Sequence, residues 1–135
     1  MIIFLDACII IYWVEMSAQP YKKLLNKIHH LRDEYDSISF AASELSLLEC
    51  LVKPVRENDR TIIEHYQRFF GSYDLSLVSI NRTVIEQATL LRAQYNLPAP
   101  DALQAASALS ITEQVIFLTA DKGFKKISAL NVLLV

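Results

Sequence analysis

Short, uninterrupted apolar runs constrain the fold of this chain more than any other feature of its sequence. Three runs contain no polar residue, namely Ile2–Leu5, Val115–Leu118 and Val132–Val135. Two weaker candidate strands are Leu75–Ile80 and Ser37–Phe40. A strand that is covered on both faces has a continuous apolar run instead of alternating apolar and polar residues. The runs therefore predict a mostly parallel central sheet.

The segments between these runs have the apolar spacing of helices. Glu44–Arg56 and Thr83–Tyr95 each repeat apolar residues at helical intervals. Candidate N-caps for these and later helices are Ser43, Asn58 and Asn81. Strands that alternate with helices predict an α/β layer fold, with helices on both sides of a sheet of four to five strands. The 135 residues fit a single domain, 1–135, without a linker.

Composition and charge exclude several classes of protein. With 53% hydrophobic residues, the chain is too apolar to be disordered. The formal net charge of −2 provides no overall attraction to nucleic acid, so an anionic substrate requires a local patch or a metal ion. The apolar N-terminal segment lacks the basic start and cleavage site of a signal peptide, and Asp6 interrupts it. We therefore expect a cytoplasmic protein without a membrane segment, in which Cys8 and Cys50 are reduced.

Four carboxylates lie in otherwise apolar settings. Two of them follow predicted strands, one lies in the first turn of a nearly uncharged helix, and one borders the apolar stripe of its helix. In chain order they are Asp6, Glu49, Asp101 and Asp121. Sites in parallel α/β folds form at the carboxyl ends of the strands, so we expect these acids to share one pocket.

Each acid also has a local explanation that needs no pocket. Asp6 could cap the following helix, and Asp121 could begin the turn ADKGF. Asp101 could complement the dipole of its helix, and Glu49 could pair with Lys53 on the surface. These explanations require four separate coincidences, whereas one acidic pocket accounts for all four residues.

An acidic pocket requires shared protons or a bound cation. Two carboxylates about 4 Å apart repel by about 4 kcal/mol at an effective dielectric constant of about 20. The set contains only oxygen ligands and no His or Cys motif, which favours a hard ion such as Mg²⁺ or Mn²⁺.

Four motifs carry a resemblance to a known family: IIFLDACIII at the start, SELSLLE ending at Glu49, PDALQAASAL around Asp101 and FLTADKGF around Asp121. In this order they resemble the PIN-domain family, and in length and layout the VapC-type toxins of toxin–antitoxin pairs. The resemblance implies a three-layer α/β/α fold in which the four acids bind metal and Thr119 occupies a hydroxyl position near the fourth. It also implies metal-dependent cleavage of RNA that leaves a 3′-hydroxyl, a small antitoxin partner and a homodimer.

One residue departs from the family pattern. Ser, Thr or Asn is common two residues after the first Asp, where this chain has Cys8. Cysteine is a poor substitute for an oxygen ligand and a weak hydrogen-bond donor. We favour a packing role that leaves the site intact, with a weakened site or an oxidation-sensitive site as alternatives. For Cys50 we expect simple burial.

We expect Asp6 and Asp101 to bind one metal ion directly, with Glu49 and Asp121 completing its shell or recruiting a second ion. The ion would activate water for attack on the phosphate, since no histidine is well placed as a base. Candidate phosphate contacts are Lys53, Arg56, Lys122, Lys125 and Lys126. Each of these cations also fits an ordinary solvated surface charge.

Other hypotheses remain open at this point. Tyr12 and Trp13 could stack on a base or dock a partner, although core burial is the favoured interpretation. A non-catalytic PIN-like binding module with a degenerate metal site is the alternative function, and Cys8 is its only support. A receiver-like signalling domain needs an early acid pair, which Asp6 does not have. A flap-type DNA nuclease needs a DNA-binding arch, for which this chain is too short.

Overall fold

The computed structural model describes residues 1–135 and contains one sheet of five parallel strands. The strands are β1 Ile2–Leu5, β2 Ser39–Ser43, β3 Leu75–Val78, β4 Val115–Thr119 and β5 Val132–Leu134. Their order across the sheet is β3-β2-β1-β4-β5, and every neighbouring pair is parallel. The predicted mostly parallel sheet is therefore confirmed, and β1 is its central strand.

Six helices and one short 3₁₀ turn connect the strands. The helices are α1 Ala7–Val14, α2 Ala18–Glu34, α3 Leu45–Arg56, α4 Arg60–Phe70, α5 Arg82–Tyr95 and α6 Ala99–Leu109. The 3₁₀ turn spans Lys122–Lys126 between β4 and β5. No helix has the length and apolar character needed to cross a membrane.

The hydrophobic core has two layers, one on each face of the sheet. Ile3 and Leu5 of β1 pack in one layer with buried side chains of α1, α2, α3 and α4. Phe4, which points to the other face, packs with buried side chains of α5 and α6 and stacks on Phe117 at 5.4 Å between ring centroids. Both faces of the central strand are thus covered, as its continuous apolar run predicts. The result is the predicted three-layer α/β/α arrangement.

The bounds of β2 and the N-cap of α4 differ from the local predictions. β2 begins and ends later than the predicted segment 37–40, because its buried part consists of the small residues Ala41, Ala42 and Ser43, which give a weak apolar signal. Asn58 is not an N-cap. It adopts a left-handed conformation with φ of 53°, and Asp59 caps α4 by accepting a hydrogen bond from the N–H of Ile62.

The predicted cap at Asn81 forms, and its side chain accepts a hydrogen bond from the N–H of Val84 at 2.9 Å. Ser43 is not the N-cap of α3, because Glu44 occupies that position. The hydroxyl of Ser43, at the end of β2, nevertheless accepts a hydrogen bond from the N–H of Leu45 in the first turn of α3 at 3.1 Å. Because β1, β2 and β4 are parallel neighbours, their carboxyl ends and the helices that follow them lie along the same edge of the sheet.

Candidate metal centre

Asp6 lies at the carboxyl end of the central strand and is only 8% exposed. Its Oδ1 accepts a hydrogen bond from the N–H of Ala7 at 2.8 Å, so the residue does cap α1. Its Oδ2 accepts a hydrogen bond from the hydroxyl of Thr119 at 2.6 Å. Burial raises the pKa of Asp6, these hydrogen bonds oppose the rise, and the charge of Asp101 adds to it.

Thr119 joins the ends of β1 and β4. Besides donating to Asp6, its hydroxyl oxygen accepts a hydrogen bond from the N–H of Asp121 at 3.0 Å. The exposed side chain of Asp121 accepts from the N–H of Gly123 at 2.7 Å, which begins the 3₁₀ turn. The turn that local sequence predicts at Asp121 is therefore present, and Thr119 connects it to the first acid.

Glu49 is half-buried on α3 and contacts α6. Its Oε1 accepts a hydrogen bond from Nε2 of Gln104 at 2.8 Å, and the same nitrogen donates to the hydroxyl of Ser46 at 2.9 Å. Burial raises the pKa of Glu49, the bond from Gln104 opposes the rise, and the charge of Asp6 adds to it. Glu49 forms no ion pair with Lys53, so the alternative explanation by a surface pair does not apply, and Glu49 bonds to the neighbouring helix instead.

Asp101 occupies the first turn of α6, one turn before Gln104. Its pKa is raised by burial first and then by the charges of Asp121 and Glu49, while Lys126 lowers it. No hydrogen bond contributes to this shift, and the N-cap of the helix is Pro98. Asp101 is thus the acid of the set that has the least local structural explanation.

The four acids form one electrostatic cluster at this edge of the sheet. Asp101 acts on the pKa of Asp6, Asp6 acts on that of Glu49, and Asp121 and Glu49 act on that of Asp101. The ion pairs of the chain join His29 to Asp33 and Arg82 to Glu86, so no cationic side chain forms an ion pair with the cluster. Its negative charge is therefore poorly compensated by the protein.

The donor chemistry of this cluster fits a hard divalent cation. Carboxylate oxygens and the Thr119 hydroxyl are the ligand types that Mg²⁺ and Mn²⁺ prefer. As the side chains stand, no group of three or more His, Cys, Asp or Glu residues is arranged to hold a metal ion. The cluster thus matches a metal site in donor type and charge, without a ready-made three-residue cage.

Cys8 lies directly against the first acid. Its Sγ donates to Oδ2 of Asp6 at 3.4 Å and is 3.9 Å from the hydroxyl of Thr119. Burial, followed by the charge of Asp6, raises the pKa of Cys8 to about 12. The thiol therefore stays protonated at neutral pH, which disfavours the oxidation-sensitive alternative because the thiolate is the form that oxidises readily. Cys50 is buried as predicted, and burial raises its pKa as well.

Most of the remaining candidate residues are solvent-exposed. Every predicted phosphate-contacting residue is exposed, namely Lys53, Arg56, Lys122, Lys125 and Lys126. The three histidines are exposed on α2 and α4 and lie outside the acidic cluster. Trp13 packs edge-on against Phe40 at 5.2 Å and Phe69 at 5.8 Å, in agreement with the favoured interpretation of core packing.

Comparison with known proteins agrees with this architecture. A family model of the PIN domain matches residues 3–130. No curated protein sequence matches the chain significantly.

Among solved structures, the chain is similar to VapBC2 from Rickettsia felis bound to a DNA fragment from its promoter, with a TM-score of 0.77 and 18% identity over 99% of this chain and 98% of the other. It is also similar to a toxin–antitoxin complex from Klebsiella pneumoniae, with a TM-score of 0.68 and 21% identity over 96% and 94% of the two chains. A third similar structure is VapBC-1 from nontypeable Haemophilus influenzae, with a TM-score of 0.66 and 19% identity over 98% of this chain and 97% of the other. The family model spans nearly the whole sequence, and these structures share the fold along nearly their full length. The chain therefore belongs to the PIN domain family.

Proposed function

We propose that this protein is a metal-dependent endoribonuclease and the toxin of a toxin–antitoxin pair. The observation that carries the proposal is the cluster of Asp6, Glu49, Asp101 and Asp121 at the carboxyl edge of a PIN fold, in which burial and the charges of neighbouring acids raise the pKa values of Asp6, Glu49 and Asp101. A cluster of unpaired carboxylates is destabilising without a cation, which is typical of a binding site and not of a structural contact. The toxin–antitoxin complexes among the similar structures support the same assignment.

The four carboxylates would hold Mg²⁺ or Mn²⁺. When bound, such an ion lowers the pKa of water and offsets the negative charge of the scissile phosphate. Thr119 holds Asp6 in place by donating to one oxygen, so that Asp6 keeps a fixed orientation at the strand end. The four acids have no ready-made three-residue cage among them, so we expect the side chains to adjust when the ion binds.

The chemistry that follows is hydrolysis of a phosphodiester bond. Water attacks phosphorus, the bond to the 3′-oxygen breaks, and the products are a 5′-phosphate and a 3′-hydroxyl. No histidine lies in the cluster, so a carboxylate accepts the proton of the attacking water. The positive side chains that follow Asp121, among them Lys122 and Lys126, would contact phosphates of the RNA backbone.

A nuclease assay tests the proposal directly. Incubation of the purified chain with labelled RNA and Mn²⁺ should yield fragments with 3′-hydroxyl ends, which a 3′-end-labelling reaction detects. Chelation with EDTA should stop cleavage, and DNA of the same sequence should stay intact. Cleavage of DNA at the same rate as RNA would contradict the proposed substrate class.

The alternative function is a non-catalytic PIN-like module that binds a partner without cutting. Two observations favour it: the thiol of Cys8 contacts the carboxylate of Asp6, and the four acids do not form a ready-made metal site. A variant in which all four acids are replaced by their amides separates the two functions. If this variant and the wild-type chain leave RNA equally intact in Mn²⁺, the alternative is correct.

We further propose that the protein binds a small antitoxin and that the chain itself forms a homodimer. A basic antitoxin segment that carries arginine would complement the uncompensated carboxylates, because Arg–carboxylate hydrogen bonds are strong and bidentate. The exposed apolar side chains Leu48, Val52 and Val55 on α3 are typical of a surface that a protein partner covers. Co-expression with the product of the neighbouring reading frame should yield a complex that co-purifies, and light scattering should give the mass of a dimer for the isolated chain. A soluble neighbour that never co-purifies, or a monomeric mass, would contradict the corresponding proposal.

A further inference from the structure

Gln104 is an unexpected residue at its position in α6. Most side chains of this helix are apolar, and Gln104, only 1% exposed, is one of its two buried polar residues, together with Ser107. Its Nε2 has two acceptors, Oε1 of Glu49 at 2.8 Å and the hydroxyl of Ser46 at 2.9 Å. Its Oε1, however, is buried and accepts no hydrogen bond. The NH₂ group of the amide therefore has a hydrogen-bond partner for each of its two hydrogens, whereas the carbonyl oxygen has none.

An unsatisfied buried carbonyl lowers the stability of the folded state, because the group loses its hydrogen bonds to water and gains none. Methionine has nearly the same shape as glutamine and would fill the same space without this cost. Packing alone therefore disfavours an amide at position 104. The feature that the amide adds is the N–H group directed at the carboxylate of Glu49.

We propose that Gln104 is a positioning residue that fixes the Glu49 carboxylate for binding of a divalent cation, an inference that rests on the proposed metal-dependent function. Ser46 lies one turn before Glu49 on α3 and is completely buried. One N–H of the amide is anchored on Ser46, and this anchor directs the other N–H at Glu49.

The position of Gln104 also relates Glu49 to another acid. Asp101 lies three residues before Gln104 on α6, so the side chains of Asp101 and Gln104 project from neighbouring turns on one face of the helix. A rigid link from Gln104 to Glu49 therefore sets the placement of one acid relative to the other. Ordering a flexible carboxylate before the cation arrives lowers the entropy that binding must remove, which increases affinity.

A purely structural role for Gln104 makes a different prediction. If the amide served only to tie α3 to α6, its loss would lower stability and leave the intrinsic metal affinity of the folded chain unchanged. If it positions Glu49, its loss lowers the intrinsic metal affinity of the folded chain as well, whatever the change in stability. Measuring Mn²⁺ affinity and melting temperature on the same variants separates these roles.

The experiment uses the purified full-length chain, titrated with Mn²⁺ alone and followed by calorimetry and by the electron paramagnetic resonance signal of free Mn²⁺. Gln104→Met should raise the Mn²⁺ dissociation constant by about 10- to 100-fold, the range found for residues that orient metal ligands. The metal-free melting temperature of the same variant gives its change in stability, to which the lost hydrogen bonds and the removed carbonyl contribute with opposite signs. Ser46→Ala removes only the anchor and should give a smaller loss of affinity, so it tests the inference even where Gln104→Met folds poorly.

Ser107→Ala is the matched control. Ser107 is buried on the same helix and donates to the hydroxyl of Ser43 at 3.0 Å, but it does not contact Glu49. Its replacement removes a buried side-chain hydrogen bond from the same helix and should leave the Mn²⁺ dissociation constant unchanged. An equal loss of affinity in Ser107→Ala and Gln104→Met would overturn the inference.

A double-mutant cycle with Glu49→Gln locates the effect. If Gln104 acts through Glu49, Gln104→Met should have no further effect on Mn²⁺ affinity in the Glu49→Gln background. The same 10- to 100-fold loss in both backgrounds, or wild-type affinity in Gln104→Met, would overturn the inference while leaving the metal site standing. Absence of saturable Mn²⁺ binding by the wild-type chain would instead overturn the proposed function together with the inference.

Discussion

Replacing Asp101 with Asn is expected to lower the rate of Mn²⁺-dependent RNA cleavage by about 10³-fold or more. Metal activation of water and offsetting of phosphate charge are worth several kcal/mol, and each 1.4 kcal/mol or so corresponds to a factor of ten in rate. The pKa of Asp101 is shifted by burial and by neighbouring charges alone, and its side chain accepts no hydrogen bond that contributes to the shift. The substitution therefore removes a charge without breaking a structural contact, and the fold should remain intact.

Initial rates on labelled RNA measure this effect, and melting of the metal-free variant checks the fold. The metal-free variant should melt at the same temperature as the wild type or higher, because one source of repulsion is gone. Asp36→Asn is a matched control, since Asp36 is exposed before β2, far along the chain from the acids that interact with Asp101. Full activity of Asp101→Asn in Mn²⁺ would mean that the proposed mechanism is wrong.

Mn²⁺ should also raise the melting temperature of the wild-type chain by on the order of 10 °C when the free ion is at about 100 times its dissociation constant. At that ratio the ion adds about 2.7 kcal/mol to the free energy of unfolding, and a domain of this size converts each kcal/mol into several degrees. Asp6→Asn and Asp101→Asn should each reduce the shift. A wild-type chain with the same melting temperature with and without Mn²⁺ would contradict the metal site.

The pH dependence of this shift follows from the raised pKa values of Asp6, Glu49 and Asp101. These groups bind protons more tightly in the folded chain than in the unfolded chain. Stability of the metal-free chain is therefore lost as pH rises from the ordinary carboxyl range through the folded pKa values, and it is regained on acidification. Bound Mn²⁺ requires ionised carboxylates, so its stabilising effect should be largest at neutral pH and fade as pH falls through the same range.

Melting curves at a series of pH values, with and without Mn²⁺, test both trends. The difference between the wild type and Asp101→Asn isolates the contribution of the cluster from that of all other carboxylates. If the two metal-free proteins show the same pH dependence, the pKa of the half-buried Asp101 is not raised as the structure indicates.

Strands could be predicted from the sequence where the apolar run is continuous, and the prediction of strand bounds failed where the buried residues are small. IIFL and VIFL are apolar without interruption, so β1 and β4 were predicted within one residue of their observed bounds. β2 gives a weaker signal because Ala41 and Ala42 have little apolar surface. Ala41 packs in the layer that is rich in alanines from α6, where small side chains on both elements fit together, and Ala42 packs in the layer on the other face of the sheet.

The location of the site residues could be predicted where they directly follow a strand. Asp6 and Asp121 follow neighbouring strands, so their common location results from the parallel sheet alone, as does the role of Thr119 between them. Gln104 could not be recognised in the same way. Its partner Glu49 is 55 residues away in the chain, and no local pattern reports a hydrogen bond between two helices that meet only in the folded state. A long polar side chain within a mostly apolar, buried helix is the signal that could have indicated it.

The central position of β1 has a consequence for synthesis of the protein on the ribosome. On the ribosome β1 can pair with β2 soon after both have emerged, but its other neighbour, β4, is translated only after β3, α5 and α6. Asp101 and Asp121 are likewise translated after Asp6 and Glu49. A growing chain that ends before Asp101 therefore carries Asp6 and Glu49 without the other half of the cluster.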